Sequence, residues 1–212
     1  MKTGDLIRAL AADSEVRAMP PGRALALALI PGVAIALGLH IAVLGLRPHL
    51  LTLLGEPRLL FKLCLTVLLA AVSGALVLRI ARPGACIRRI TLLLAIVPTL
   101  LAGANLAELS AVPADLWGQR LIGSNAKFCL ASIPFLAAAP LVAALLALRQ
   151  GAPERPALAG AAAGLFAGAI GAACYATHCP DDSPLFLAAW YTLAIGFVAA
   201  IGAAAGRRLL RW

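Results

Sequence analysis

Six long apolar runs divide this sequence and limit its fold more than any other feature. They lie at about 24–46, 59–80, 90–110, 128–148, 157–177 and 185–206. An α-helix needs about 20 apolar residues to cross the hydrocarbon of a bilayer, because its backbone N–H and C=O groups must be paired within the segment. None of the runs alternates polar with apolar residues as barrel strands do. The sequence therefore predicts an all-α polytopic membrane protein, a bundle of six transmembrane helices.

The composition agrees with this fold class. Of the 212 residues 62% are hydrophobic and 13% are charged, and the mean hydropathy is +0.96, outside the range of soluble domains. Short connections predict that neighbouring helices run antiparallel in one compact bundle. Two units follow, a polar lead at 1–23 and a transmembrane domain at 24–212. The lead is longer than that of a signal peptide, so we expect it to be retained.

Lys and Arg are distributed unequally between the two sides of the predicted bundle. Thirteen lie on the side of both termini and four on the other, where they are Arg47, Arg58, Arg120 and Lys127. Cytoplasmic ends of membrane helices retain positive charge, so both termini are predicted to be cytoplasmic. The net charge of +9 is then explained by topology and by attraction to the lipid bilayer, with no direct nucleic-acid partner.

A polar segment, YATHCPDDSP at residues 175–184, separates the last two runs. Pro180 and Pro184 are typical of helix boundaries, and three polar residues after Pro180 are suited to cap the sixth helix. These capping candidates are Asp181, Asp182 and Ser183. We expect a tight turn on the side opposite the termini.

A metal site is the alternative interpretation of this segment. Imidazole, thiolate and carboxylate groups are common metal ligands, and another loop has His49 or Cys129 to contribute. The candidate ligands in the segment are His178, Cys179, Asp181 and Asp182. No Cys-x-x-Cys or His-x-x-x-His spacing accompanies them, so no metal or other cofactor is assigned.

The predicted topology sorts the five cysteines. Cys86 lies in an arginine-rich cytoplasmic loop, where thiols stay reduced. Cys129 and Cys179 lie at matching depth on the outer side, and a disulfide between them is a hypothesis that needs Cα atoms about 5.5 Å apart. We expect Cys179 to be held at the surface and the thiolate of Cys129 to be favoured by nearby Lys127. The two deeper cysteines, Cys64 and Cys174, are expected to be apolar packing residues.

Few polar groups interrupt the spans. His40 is the only titratable residue well inside one, while Lys62, Asn105 and Glu108 lie at or near span ends. Ion and solute pathways usually need several intramembrane charges, so this pattern argues against a pump or a coupled transporter. Three glycines spaced by four in the fifth run allow close helix approach, either within the bundle or at a homodimer seam. They are Gly160, Gly164 and Gly168.

The lead has the pattern of a short amphipathic helix. Thr3 is suited to cap it, Asp5 lies in its first turn, and its apolar side chains share one face: Leu6, Ile7 and Leu10. So short a helix is marginally stable in water and needs a surface to pack on. An apolar groove on a cytoplasmic protein or the lipid surface would each serve.

Three features together resemble a known family. They are the start KTGDLIRALAAD at residues 2–13, the Pro20-Pro21 linker ahead of six spans, and the HCPDDSP segment at 178–184 ahead of Trp190-Tyr191. With these features the chain resembles the NrsF family of proteobacterial membrane anti-sigma factors. The likeness extends over essentially the whole chain, and HCPDDSP is its most specific element.

The resemblance implies an inner-membrane protein that sequesters an extracytoplasmic-function (ECF) sigma factor and releases it under heavy-metal or oxidative stress. Two cysteines on the periplasmic side would sense the stress, and by position these are Cys129 and Cys179. The residues expected to bind the sigma factor are Asp5, Leu6, Ile7 and Leu10, and 24–212 would be the sensor domain.

Two other functions compete with this one. A membrane thiol oxidoreductase would pass electrons from the outer cysteines to a quinone, but the sequence has no Cys-x-x-Cys pair. A channel or transporter for a small solute would suit the six spans and their prolines, but it lacks a polar lining. We therefore expect a regulator and not an enzyme.

Overall fold

A computed structural model describes residues 3–5, 21–82, 84–151 and 153–210. Within these ranges six helices are long and apolar enough to cross a membrane and no strand is present, which confirms the predicted fold class. The first span is Pro21–Leu39, extended by a π-helical turn at His40–Leu44. The others are Pro57–Ile80 (second), Arg88–Leu94 with Ile96–Ala111 (third), Ala126–Arg149 (fourth), Pro156–Ala176 (fifth), and Pro184–Phe186, Leu187–Tyr191 and Thr192–Leu209 (sixth).

The connections define two ends of the bundle. Segments 45–56, 112–125 and 177–183 lie at what we call the Cys179 end. The described residues of the other two connections, 81–82, 84–87, 150–151 and 153–155, lie at the arginine-rich end. Short helices at Leu50–Leu53, Ala114–Leu116 and Trp117–Ile122 lie in the connections of the Cys179 end.

The fifth span is the centre of the bundle. It packs against the second, fourth and sixth spans, and 67% of its membrane window is buried, compared with 6% for the third span. Ten of its first fourteen residues are Ala or Gly, which makes a thin helix that neighbours can surround. The first span packs mainly on the fourth, so the third span remains the most lipid-exposed element among the described residues.

A glycine seam joins the fifth and sixth spans. A Cβ added to Gly160 would lie 2.1 Å from the Gly202 carbonyl oxygen, and one added to Gly164 would lie 2.5 Å from that of Val198. Gly168 faces Ile195 in the same way. Of the two alternatives for these glycines, the structure shows packing within the bundle, because the face they form is buried against the sixth span of the same chain and is not available as a homodimer seam.

Prolines mark irregular positions in the spans. Pro31 lies inside the first span, and Pro134 and Pro140 lie inside the fourth. The third span is interrupted at Ala95, three residues before Pro98. Since proline removes a backbone donor and its ring crowds the preceding turn, a break just ahead of it is expected.

Candidate functional site at the Cys179 end

Residues 177–183 fold over the end of the bundle and contact every part of it. The hydroxyl oxygen of Thr177 lies 2.9 Å from Nε2 of His40 in the first span. Because the Thr177 hydroxyl donates to the Cys174 carbonyl, the imidazole N–H is the donor to Thr177. His178 donates from Nδ1 to the Gly45 carbonyl at 3.1 Å. These bonds hold the start of the segment against the first span.

Asp181 caps the fourth span. Its carboxylate accepts from the backbone N–H of Ser124 at 3.1 Å and of Asn125 at 2.9 Å, where Asn125 is the N-cap residue. The prediction that Asp181 caps the sixth span is therefore wrong. Ser183 does cap that span, as predicted, since its hydroxyl accepts from the Leu185 N–H at 3.3 Å. One segment thus fixes the starts of two spans.

Lys62 is buried beneath the segment, with 0% of its side chain exposed. Its Nζ donates to the Cys179 carbonyl at 2.8 Å and to the Asp181 carbonyl at 3.3 Å, and it forms an ion pair with Asp182. The other Asp182 oxygen accepts from Arg47 at 2.8 Å. Asp182 therefore bridges two cations and does not cap a helix.

Glu108 forms a second ionic contact near the same end. It is 5% exposed and lies 3.0 Å from nitrogen atoms of both Arg58 and Arg120. Ser183 donates to it at 3.4 Å. Glu108 thereby ties the third span to the second span, to the helix Trp117–Ile122 and to the segment.

The four candidate metal ligands are not arranged around one point. Asp181 and Asp182 are engaged by backbone N–H groups and by cations, and His178 is bonded to a carbonyl. His49, proposed as a fifth ligand, is exposed and hydrogen-bonds through its own carbonyl to Thr52. Nowhere in the described ranges are three or more His, Cys, Asp or Glu residues placed to hold a metal ion.

Cys129 and Cys179 meet in one buried cluster. Both are 0% exposed, no disulfide joins them, and their electrostatic neighbours include each other and Lys62. The expectation that Cys179 is held at the surface is wrong, because the segment folds inward. Lys127 is exposed and is not the cation beside Cys129. Burial raises the pKa of the Cys179 thiol above its ordinary range, against the opposing effect of Lys62.

The other cysteines are separated from this pair. Cys174 is buried as expected, whereas Cys64 is exposed on the surface of the second span, so it faces lipid and does not pack in the bundle. Cys86 is exposed at the arginine-rich end.

Two tyrosines complete the cluster around the thiols. Tyr175 and Tyr191 are 0% and 3% exposed, their ring centroids are 6.0 Å apart, and both interact electrostatically with Cys179. Neither hydroxyl has a hydrogen-bond partner of ordinary geometry among the described residues. No role was predicted for Tyr175 from sequence; just past the end of the fifth span, the backbone N–H of Cys179 donates to the Tyr175 carbonyl at 3.0 Å.

The expected sigma-binding residues fall mostly outside the structure. Asp5 lies in the helical residues 3–5. Leu6, Ile7 and Leu10 lie outside the described residues.

Comparison with known proteins now identifies the family. The model for NrsF, described as negative regulator of sigma F, matches residues 10–212. The chain belongs to the NrsF family. It is 39% identical over 215 residues to the anti-sigma-F factor NrsF of Caulobacter vibrioides, and 37% identical over 214 residues to the probable anti-sigma-F factor NrsF of Azospira oryzae, with 100% of each chain covered.

No solved structure matches the chain. The description of the NrsF family is that of a regulator, so this chain is a regulatory protein and not the thiol oxidoreductase considered above.

Proposed function

We propose that this chain is an inner-membrane anti-sigma factor with both termini in the cytoplasm. Residues 1–23 hold an ECF sigma factor, and heavy-metal or oxidative stress on the periplasmic side releases it by acting on Cys129 and Cys179. The names of the full-length relatives support the anti-sigma function. The asymmetry of Lys and Arg supports the orientation.

The observation that carries the sensing part is the meeting of the two thiols. Cys129 belongs to the fourth span and Cys179 to the segment after the fifth, yet they share a buried cluster to which five spans contribute. Oxidation or ligation of either thiol changes its size and polarity, and a packed cluster accommodates such a change only by moving the helices. Chemistry at this one point would therefore alter the whole end of the bundle.

A route from the thiols to the lead runs through the fourth and first spans. Asp181 caps the start of the fourth span, which carries Cys129, and the first span packs along the fourth. A Cβ added to Gly32 would lie 2.9 Å from that of Ala143, so the two helices approach closely. The lead is continuous with the first span at Pro21. A displacement of the fourth span would be passed to the sigma-binding segment in this way.

Cysteine substitution tests the sensing part. Cys129→Ser and Cys179→Ser, each expressed in place of the parent chain, are expected to repress a sigma-dependent reporter normally without stress. Both should abolish its induction by a heavy metal or an oxidant. Cys86→Ser is the matched control, because Cys86 is an exposed thiol at the other end, and it should induce like the parent. Parental induction in both site variants would refute sensing at these thiols.

A further inference from the structure

We propose that Lys62 is the positioning residue that keeps segment 177–183 closed over Cys129 and Cys179, so that reagents reach these thiols only when its contacts break. The biological meaning of this latch rests on the proposed function. Its structural basis does not, since access to a thiol is measurable without a sigma factor.

The acceptors around the ammonium carry the argument. Every acceptor that Lys62 Nζ has among the described residues comes from the segment: the carbonyls of Cys179 and Asp181, and the carboxylate of Asp182. A buried ammonium without such partners is costly, so the lysine and the segment depend on each other. Lys62 is therefore fixed by the segment and the segment by Lys62.

The position of these contacts explains control of access. Lys62 donates a hydrogen bond to the backbone carbonyl of Cys179. The Cys179 sulfur lies 3.9 Å from the carbonyl oxygen of Asp181, which also accepts from Lys62. A motion that turns the Cys179 thiol outward must move the two carbonyls away from the ammonium. The bond between Arg47 and Asp182 lies nearer the rim, with 21% of Arg47 exposed, and does not restrain the Cys179 backbone directly.

The test measures alkylation of the purified full chain in detergent. Cys64, Cys86 and Cys174 are replaced by Ala, leaving only the two clustered thiols, and maleimide incorporation is followed by mass spectrometry without denaturant. Lys62→Met keeps an unbranched side chain that is one atom shorter and removes the ammonium group. We expect this variant to be alkylated at least about tenfold faster than the parent. Opening of the segment costs less free energy in the variant, because no buried contacts of the ammonium have to be broken. Lys62→Arg, which retains a cation, should restore much of the protection.

Arg58→Met is the matched control. Arg58 precedes Lys62 by one helical turn and pairs with Glu108, so its loss removes an ion pair from the same end without touching the segment's carbonyls. The two thiols of this control should be alkylated at the parental rate. A parental rate in Lys62→Met, or equal acceleration in Arg58→Met, would overturn the latch.

A second variant keeps the proposal testable if Lys62→Met does not fold. Asp182→Asn preserves the shape of the side chain but removes the charge partner of Lys62, and it too should accelerate alkylation. A parental rate in Asp182→Asn would then overturn the proposal. If the parent chain did not bind a sigma factor, the proposed function would be refuted. The alkylation rates would still test the role of Lys62, because they do not depend on a sigma factor.

Discussion

Gly123 is the residue that lets Asp181 reach the fourth span. Its φ is +60°, in the left-handed region that side chains rarely adopt. A Cβ there would lie 2.5 Å from Cδ2 of Phe186 and 2.9 Å from Cγ of Asp181. Conformation and space therefore both require glycine at the point where the connection turns into the fourth span.

Gly123→Ala should destabilise the protein. The backbone conformation alone, with φ +60° and ψ −168°, costs about 1–3 kcal/mol for a residue with a Cβ, and the contact with Phe186 adds to it. The measurement is the thermal unfolding midpoint in detergent. Gly118→Ala is the control, because nothing lies within 4 Å of a Cβ there and alanine favours the helix. If both variants matched the parent, the tight turn described here would be incorrect.

The contacts of single residues at the site were the hardest part to predict from sequence. The sequence places Lys62 near a span end, but its burial depends on the carbonyl of Cys179, 117 residues further along the chain. Asp181 likewise accepts from the N-cap residue of the fourth span, Asn125, which lies 56 residues earlier. Local patterns do report a nearby cap, as with Ser183, but they carry no signal for partners brought together by the tertiary fold.

Among the elements, the fifth and sixth spans depend most on close backbone approach. The glycine seam lets Gly160, Gly202 and Gly206 pack with almost no side chain between the helices. Dispersion contacts over such a face replace the hydrophobic effect, which is weak between helices in lipid. The seam is thus a stability element within a single chain.

Gly160→Val should separate these two helices. Its Cβ would meet the backbone of the sixth span, which cannot turn aside as a flexible side chain can, so a loss of about 3 kcal/mol or more is expected. The unfolding midpoint in detergent measures this effect. Gly196→Val serves as the control in the sixth span, where a Cβ meets nothing within 4 Å. An unchanged midpoint in Gly160→Val would mean that the seam is not packed as described.

Elements were predicted well where composition alone decides them. The runs at 59–80 and 157–177 correspond to helices Pro57–Ile80 and Pro156–Ala176, because apolar length is a local property. Hydropathy does not show the break at Ala95, although the nearby Pro98 explains it. The partner of the glycine face, the sixth span, depends on neighbours that hydropathy does not specify.

In the molecule as a whole, the two ends of the bundle are chemically different. The Cys179 end holds a buried thiol pair under an ion-paired segment, and the arginine-rich end is where the first span begins at Pro21. The proposed mechanism joins them: a change at the thiols moves the spans, and the lead then loses its arrangement for binding. A stress signal moves this equilibrium only by its differential affinity for the two states.

Copurification tests whether the lead binds a sigma factor. The full chain and a variant lacking residues 2–18, each tagged at the C-terminus, are coexpressed with the host's ECF sigma factors and solubilised in detergent. We expect one sigma factor to copurify with the full chain and none with the shortened one. Equal retention by both, or retention by neither when both are folded and inserted, would contradict it.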